Sequence, residues 1–428
     1  MIAPMIAPGP LRNAVLFTAL AALFVFILNW LGAPYTVRVL VEASCYAIIA
    51  LGLTIQWGYA GLFNAGVMGF IAAAAFVTMF VSFPVNPAFW HSQGPGLLFL
   101  AFLWLVIGAL ATFALAASRR WGVPRRLALG LAVIAAIVTY FSVGAALTPA
   151  ASVIVREAGF VGGVGLPVGF GWIAGAAVAG LLGWGIGRIC LGLRSDYLAI
   201  ATLGIAEIIK AVLKNEEWLT RGTLTVSPLP WPVPGPADLG FVMSRAAYLA
   251  VTAILIVVIY VALERAWHAP WGRMMRAIRD NEEAAEAMGK DVNARRLEIF
   301  VLGNALIGLG GAALISFAGI FDPQGFAPLQ HTFLIWVMVI LGGAGNNLGA
   351  IFGALFVYCI WVISEPAALF LFAIAGDWGR DVFGWTATVG DMQVRALQMR
   401  VFVIGLTISL VLRYAPRGLI PEKVVRHD

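Results

Sequence analysis

The chain has 428 residues, of which 61% are hydrophobic and 11% charged, and its mean hydropathy of +0.94 excludes an ordinary soluble globular domain. Its net charge of +6 does not indicate nucleic-acid binding, because basic excess in a membrane protein sets orientation and attracts anionic lipid headgroups. We therefore predict an all-α polytopic membrane protein, whose apolar runs of about 20 residues span the bilayer.

The apolar runs predict about 10 to 12 transmembrane helices, some of them short or broken. They lie near residues 14–32, 38–57, 60–82, 96–117, 127–148, 170–190, 195–213, 246–263, 297–319, 332–345, 347–365 and 396–414. Nothing in the pattern separates a second folded unit, so we expect a single transmembrane domain over residues 1–428.

Basic residues predict the orientation of these helices. They concentrate at 118–126, 188–194, 264–296 and from Arg413 onwards, and these connections share one side if the N-terminus is cytoplasmic. The N-terminal run has no clear cleavage site, so we expect a retained signal-anchor helix. The pattern predicts a multi-pass protein of the cell inner membrane with both termini in the cytoplasm.

Four polar residues within the predicted spans are candidates for a translocation path, namely Gln56, Asn64, Glu207 and Asn304. Glu207 lies well inside its span, and Lys210 one turn further on could pair with it. Its role is either structural hydrogen bonding or participation in the path. A proton relay needs several ionisable groups, which these spans lack, so proton-coupled transport is disfavoured.

Two inserts have the composition of ordered extracytoplasmic loops. Residues 215–245 are rich in proline and tryptophan, and residues 366–395 contain Trp378 and Trp385. Such tryptophans either anchor a loop at the membrane interface or dock a soluble partner. Between two late spans, Gly-Gly followed by Asn-Asn at 342–347 predicts a tight turn.

Residues 264–296 are the longest dense run of charge, and we predict a cytoplasmic loop with a short helix. Asp280 and Glu283 have the spacing of a capping box, so the helix should begin near Asn281. Gly289 can adopt the left-handed conformation that ends a helix.

The predicted helix has an apolar face. Ile278, Ala285, Met288 and Val292 fall roughly on that face, and Asn293 is the expected cap of the next segment. A helix of about two turns is not stable alone in water, where roughly a dozen residues are already marginal. It therefore needs a surface on which to lie.

We find no signature of catalysis in the sequence. It lacks a phosphate-binding loop, a paired metal-binding motif and a nucleophile elbow. Cys45, Cys190 and Cys359 lie within apolar spans and are interpreted as small buried hydrophobic residues. We expect no enzymatic activity, no metal and no cofactor in this chain, so any energy for transport must come from other subunits.

Four motifs resemble the membrane subunits of branched-chain amino acid ABC importers, and also the broader permease group of ribose-type and urea or amide importers. They begin at Gly272 with GRMMRAIRDNEEAAEAMGKDVNARRLEIFVLGNALIGLGGAAL, at Leu191 with LGLRSDYLAIATLGIAEII, at Leu341 with LGGAGNNLGAIFGAL and at Pro416 with PRGLIPE. The first of these is specific, and the resemblance covers most of residues 40–425.

The resemblance implies an importer subunit for branched-chain or other hydrophobic amino acids. The implied partners are a second related permease subunit, two cytoplasmic ATPase subunits that bind and hydrolyse ATP, and a periplasmic substrate-binding protein. The charged loop is then expected to hold the coupling helix, which sits in a cleft of the ATPase. The residues implied in this contact are Arg276, Arg279, Glu282, Glu283, Ala284, Ala285, Glu286, Met288 and Gly289.

One departure from the family leaves the substrate open. Many relatives carry a Gly-Gln-Leu-Ser-Leu-Gly-His-like run after the second span, whereas this chain reads GLFNAGV from Gly61 to Val67. An alternative is a urea, short-amide or sugar permease of the same group. Alternatives from other classes are a secondary transporter or channel not coupled to an ATPase, and a membrane scaffold.

Overall fold

The computed structural model describes residues 9–118, 124–383 and 389–422, and within these ranges helices dominate and no β-strand occurs. A π-helix, Ile55–Tyr59, continues α2, and a short 3₁₀-helix covers Pro323–Gly325. The α-helices are α1 (Gly9–Leu31), α2 (Ala33–Thr54), α3 (Val67–Ser82), α4 (Pro87–His91), α5 (Gly94–Ala117), α6 (Arg125–Glu157), α7 (Val168–Cys190), α8 (Ser195–Asn215), α9 (Glu217–Thr220), α10 (Pro236–Leu239), α11 (Phe241–His268), α12 (Pro270–Asp280), α13 (Glu282–Ala287), α14 (Val292–Ala318), α15 (Pro328–Gly342), α16 (Asn347–Phe383) and α17 (Val389–Tyr414).

In the described part of the chain, eight helices are long and apolar enough to cross a membrane. They cover Leu11–Leu31, Ala33–Tyr59, Gly94–Ala117, Arg126–Glu157, Val168–Cys190, Phe241–His268, Val292–Ala318 and Asn347–Ile374. The prediction of an all-α polytopic membrane protein is confirmed.

The other four predicted spans are also helices, but they differ in kind. α3 has 16 residues and the apolar part of α15 is His331–Gly342, so both are shorter than a bilayer normally requires. α8 and α17 are 21 and 26 residues long. The predicted span 60–82 is wrong at its start, since residues 61–66 are not helical and Gly61 has a φ of 66°.

The helices α2, α3, α7 and α14 form the centre of the fold, and glycines let them approach closely. A Cβ on Gly52 of α2 would lie 2.7 Å from the carbonyl oxygen of Gly303 on α14. A Cβ on Gly308 of α14 would lie 2.4 Å from the Cβ of Ala179 on α7. Close contact between backbones replaces bulky side chains here, as is common between membrane helices.

The helices α5 and α6 form a hairpin at the periphery. Their most apolar 18-residue stretches are only 6% and 11% buried, whereas that of the span containing α2 is 89% buried. The two helices pack mainly on each other, with Gly108 of α5 directly against the side chain of Thr139 on α6. The outer faces of the hairpin are apolar, which is the expected surface for contact with lipid acyl chains.

The two predicted loops differ in form. Residues 215–245 contain α9 and α10 and are ordered by two backbone hydrogen bonds between Val226 and Phe321, of 3.0 and 2.9 Å. The prediction of a loop at 366–395 is wrong, because α16 continues through Pro366 to Phe383 and α17 begins at Val389. The apolar sequence after Pro366 continues the helix, and Trp385 lies outside the described residues. The side of the membrane for either insert stays a prediction.

Candidate translocation and coupling sites

The predicted short helix exists, with corrected caps. Its N-cap is Asn281 and not Asp280, because α12 continues through Asp280, and the Oδ1 of Asn281 accepts a hydrogen bond of 3.0 Å from the amide of Ala284. Gly289 follows the helix with a φ of 76°, as predicted. The next helix is capped by Asp291 and not by Asn293, which lies inside α14.

The apolar face of α13 is divided between the protein interior and the surface. Ile278, Ala285 and Val292 are buried, so they hold α12, α13 and the start of α14 together. Met288, predicted on the same face, is instead 80% exposed because it follows the last helical turn. The remaining side chains of the short helix and its end are exposed, namely Glu282, Glu283, Ala284, Glu286 and Gly289.

Salt bridges and ring contacts fix the position of α13. The Nη1 of Arg296 on α14 lies 2.6 Å from the Oε1 of Glu282, which ties the two helices. The guanidinium of Arg276 lies 4.4 Å from the centre of the Trp267 ring, an arrangement typical of a cation–π contact. Arg279 is mostly buried and turns towards the protein, so α12 reaches the helical core on this side.

Three of the four path candidates meet at one buried point, which we call the amide cluster: Gln56, Asn64 and Asn304. The Nδ2 of Asn64 donates to the Oε1 of Gln56 at 2.9 Å and to the Oδ1 of Asn304 at 3.0 Å. All three side chains are fully buried. The Nδ2 of Asn304 has no hydrogen-bond partner within the described residues. The cluster joins α14 to the region where α2 loses its regular helix.

This region, residues 55–66, is called the broken segment. The π-helix turns the end of α2, and Gly61 then takes a left-handed conformation that brings Asn64 back towards Gln56. The Nε1 of Trp336 donates to the carbonyl oxygen of Asn64 at 3.0 Å. The amide of Ala65 donates to the Oγ1 of Thr202 on α8 at 3.1 Å. Non-helical backbone at membrane depth is therefore supplied with partners by α8 and α15.

Three aromatic side chains cover the broken segment, and the sequence did not single them out. The ring centres of Phe63 and Trp336 lie 4.2 Å apart, and that of Trp57 lies 5.1 Å from Trp336 and 5.5 Å from Phe63. Trp57 also lines a cavity of about 500 Å³ that reaches the C-terminal tail at Glu422. Aromatic residues in apolar spans are common, so the sequence gives no signal for this group, and only the ring contacts in the structure identify it.

Glu207 does not join the amide cluster. The buried residues Leu198, Thr202 and Ala206 pack α8 onto its neighbours, with Ala206 against Gly69 of α3. Glu207 is exposed on the opposite face and, within the described residues, forms no ion pair with Lys210 or with another residue. We call this exposed surface the outward face of α8: Gly204, Glu207, Ile208 and Ala211.

In the described part of the chain, no cluster of three or more histidine, cysteine, aspartate or glutamate side chains could hold a metal ion. Cys45, Cys190 and Cys359 are free and buried, as predicted. Both sites contain hydrogen-bonding, aromatic and charged side chains.

Sequence comparisons relate this chain to known membrane permeases. Residues 122–412 match the family described as "Branched-chain amino acid transport system / permease component". A probable branched-chain amino acid transport permease protein LivM from Methanocaldococcus jannaschii is 26% identical over 266 residues, covering 60% of this chain and 71% of that protein.

Two further relatives differ in the substrate that their names give. The high-affinity branched-chain amino acid transport system permease protein LivM from Escherichia coli is 29% identical over 204 residues, or 42% of this chain and 46% of that protein. The autoinducer 2 import system permease protein LsrC from Enterobacter sp. (strain 638) is 26% identical over 328 residues, or 75% of this chain and 84% of that protein. No solved structure matches the chain.

Proposed function

Because the chain belongs to the branched-chain amino acid transport permease family and is a permease subunit of an ABC importer, we propose that it carries branched-chain or other hydrophobic amino acids. The observation that carries this proposal is the aromatic covering of the broken segment by Trp57, Phe63 and Trp336. Apart from the Nδ2 of Asn304, the amide cluster has protein partners for its side chains: besides its internal bonds, the Nε2 of Gln56 donates to the carbonyl oxygen of Phe300 at 3.2 Å, and the Oδ1 of Asn64 accepts from the amide of Gly66 at 2.9 Å. A sugar needs partners for several hydroxyl groups, and unpaired polar groups are costly to bury.

A sugar-like substrate is the second candidate. Its support is the similarity to the autoinducer 2 permease, which extends over 75% of this chain. The fructose import permease FrcC from Rhizobium meliloti also matches, at 27% identity over 197 residues. The run from Gly61 to Val67, which departs from the family pattern, favours neither candidate.

The partners in this proposal are two cytoplasmic ATPase subunits, a second related permease subunit and a periplasmic substrate-binding protein. ATP is bound by the ATPase subunits, and this chain itself needs no cofactor. With both termini in the cytoplasm, α13 lies on the cytoplasmic side, where Glu283, Glu286 and Met288 are free to enter a cleft of the ATPase.

The outward face of α8 is the surface that we assign to the second permease subunit. An ionised side chain facing lipid near the bilayer centre costs about 2.5 to 3.5 kcal/mol on the insertion scale. Glu207 lies near the middle of α8 and is exposed in the single chain. A second subunit, or the water-filled path between two subunits, removes this cost.

Uptake measurements test the proposal. The permease pair is reconstituted in liposomes with its ATPase subunits and binding protein, and uptake of radiolabelled leucine, isoleucine, fructose and urea is measured with and without ATP. We expect ATP-dependent uptake of the two amino acids. Uptake of fructose or urea without either amino acid overturns the substrate assignment, and uptake that does not depend on ATP overturns the coupling to an ATPase.

A further inference from the structure

The last turn of α12 carries a side chain that reaches two elements remote in the sequence. The Nη1 of Arg279 donates to the carbonyl oxygen of Gly58 in the π-helix and to the Oε2 of Glu422 at 3.0 Å. Its Nη2 donates to the Oε1 of Glu422 at 3.3 Å. The two side chains are only 23% and 17% exposed, so this is a two-point, largely desolvated ion pair. One guanidinium thus connects α12, the broken segment and the C-terminal tail.

The tail that carries Glu422 is held firmly. The amides of Leu419 and Ile420 donate to the carbonyl oxygens of Leu341 and Gly342 at 2.8 and 2.9 Å. The side chain of Asn346 donates to the carbonyl oxygen of Pro421 at 3.2 Å. Ile420 is buried against α1 and α16. The carboxylate of Glu422 is therefore presented from a fixed backbone and not from a loose end.

Four residues form a connected set of contacts at this point, and we call them the junction: Gly58, Arg279, Gly345 and Glu422. A Cβ on Gly58 would lie 2.4 Å from the amide nitrogen of Gly345. A Cβ on Gly345 would lie 2.9 Å from the Oε2 of Glu422. The backbones of Gly58 and Gly345 therefore touch directly, with no room for a side chain between them, and close-packed contacts of this kind transmit strain.

The junction lies between the two candidate sites. Only Asp280 and Asn281 separate Arg279 from α13, and Gly58 is two residues beyond Gln56 of the amide cluster. Burial alone lowers the pKa of Arg279, but its hydrogen bonds and the charges of Glu422 and Asp280 outweigh burial and raise that pKa. The guanidinium therefore stays charged and keeps its donors.

We propose that Arg279 is a positioning residue that transmits movement of α13 to the broken segment, and that Glu422 of the tail keeps it in register. The inference rests on the proposed function, because the movement of α13 comes from the ATPase. When α13 is displaced, the end of α12 follows and Arg279 carries the carbonyl of Gly58 with it. π-helices are rare and frequently lie at functional sites, so the broken segment with its π-helix is suited to shift and reorganise the amide cluster.

Four variants test this inference in the reconstituted importer: Arg279→Gln, Arg279→Lys, Glu422→Gln and the double variant of Arg279→Gln with Glu422→Gln. Amino acid uptake per ATP hydrolysed is measured together with the amount of ATPase that purifies with the permease. Losing a charge-assisted hydrogen bond should lower uptake per ATP about tenfold or more in Arg279→Gln, without loss of bound ATPase. Arg279→Lys keeps the positive charge but not the two parallel guanidinium donors, so it should recover part of the loss.

The double variant shows whether Arg279 and Glu422 act together or independently. If Glu422 acts through Arg279, the double variant loses no more than Arg279→Gln alone. The matched control is Arg295→Gln, which removes an ion pair of 2.7 Å with Glu298 inside α14. It should keep uptake per ATP within about twofold of the wild type, because such exposed pairs contribute little.

The outcomes distinguish this inference from the proposed function. If Arg279→Gln takes up amino acid, and uses ATP for it, as the wild type does, the role of Arg279 is overturned. If the losses of the two single variants add up in the double variant, the role of Glu422 is overturned. ATP hydrolysis without any amino acid uptake by the wild-type complex overturns the proposed function and this inference together. If Arg279→Gln does not accumulate, Arg279→Lys and Glu422→Gln decide the question with the same measurements.

Discussion

The hairpin of α5 and α6 and the broken segment beside α2 show opposite uses of apolar sequence. The hairpin is the more apolar of the two, yet its spans are only 6% and 11% buried, whereas the span of α2 and its π-helix is 89% buried. In a bilayer, lipid acyl chains surround apolar side chains, so these side chains do not have to be buried in the protein interior. Buried polar groups, and not hydropathy, therefore distinguish the structural centre of this protein from its periphery.

The largest expected effect comes from breaking the amide cluster. Asn64→Leu removes the donor to Gln56 and to Asn304 and leaves their oxygens buried without partners. At about 1 to 3 kcal/mol for each unpaired group, the loss of stability should reach several kcal/mol. Thermal unfolding of the purified permease in detergent measures it, with the exposed Asn215→Leu as control. Equal melting temperatures for the two variants would mean that the cluster does not hold the centre together.

The next largest effect concerns α13, which lies outside both regions and which we propose moves the broken segment. Met288→Asp places a charge on a side chain that is 80% exposed, so the fold should keep its melting temperature. If Met288 enters an apolar pocket of the ATPase, binding should weaken about tenfold, since one buried large side chain contributes roughly 1.5 to 3 kcal/mol. The measurement is co-purification of the ATPase and uptake, and full retention of both would remove Met288 from the contact.

A smaller effect is expected on the outward face of α8. This face is exposed, as the hairpin is, but it carries the charged residue Glu207 near the middle of the helix. Glu207→Leu leaves the isolated permease as stable as the wild type or more stable, because an ionised group at membrane depth is costly. Pairing with the second permease, measured by co-purification, should fall about threefold, the equivalent of one weak polar contact. Ala211→Ser, on the same face, is the matched control. Unchanged pairing in Glu207→Leu would indicate that another surface joins the two subunits.

The smallest effect belongs to the hairpin itself. Phe113→Leu changes a side chain that is 74% exposed on α5 and keeps its apolar character. Surface substitutions of this kind usually stay within about 0.5 kcal/mol, so uptake and melting temperature should match the wild type. A strong loss of uptake in a well-folded Phe113→Leu variant would show that the hairpin is more than a lipid-facing addition.

The sequence predicted the helices well, because each long apolar run has to satisfy its own backbone in lipid. The predicted helix ends were wrong where neighbouring polar residues could each end or cap a helix. Asp280 looks like the cap of α13, but α12 continues through it, and Asn281 takes that role. The insert at 366–395 carries turn-like polar residues, yet an apolar run extends α16 past Pro366.

The site was predicted in part, and the limit was distance along the chain. Gln56, Asn64 and Asn304 could be selected as polar residues in apolar spans, but the contact between Asn64 and Asn304 joins residues 240 positions apart. Arg279 was expected among the partner-facing residues, and only Glu422, 143 positions later, explains why it turns inward. A single sequence carries no signal for either pairing. Glu207 lies apart from the other three candidates because the buried residues Thr202 and Ala206 fix the inward side of α8, which leaves Glu207 on the exposed side.

The position of Glu422 in the chain also bears on biosynthesis. Helices enter the membrane as they are made, and the N-terminal parts of a protein begin to fold first. Gly58, Arg279 and Gly345 are all synthesised well before Glu422, so their contact point stays incomplete until translation has passed the last described residues. A chain interrupted before Glu422 would leave the largely buried side chain of Arg279 without this carboxylate partner. The pair of Arg279 and Glu422 is therefore expected to form only after the preceding spans have been synthesised.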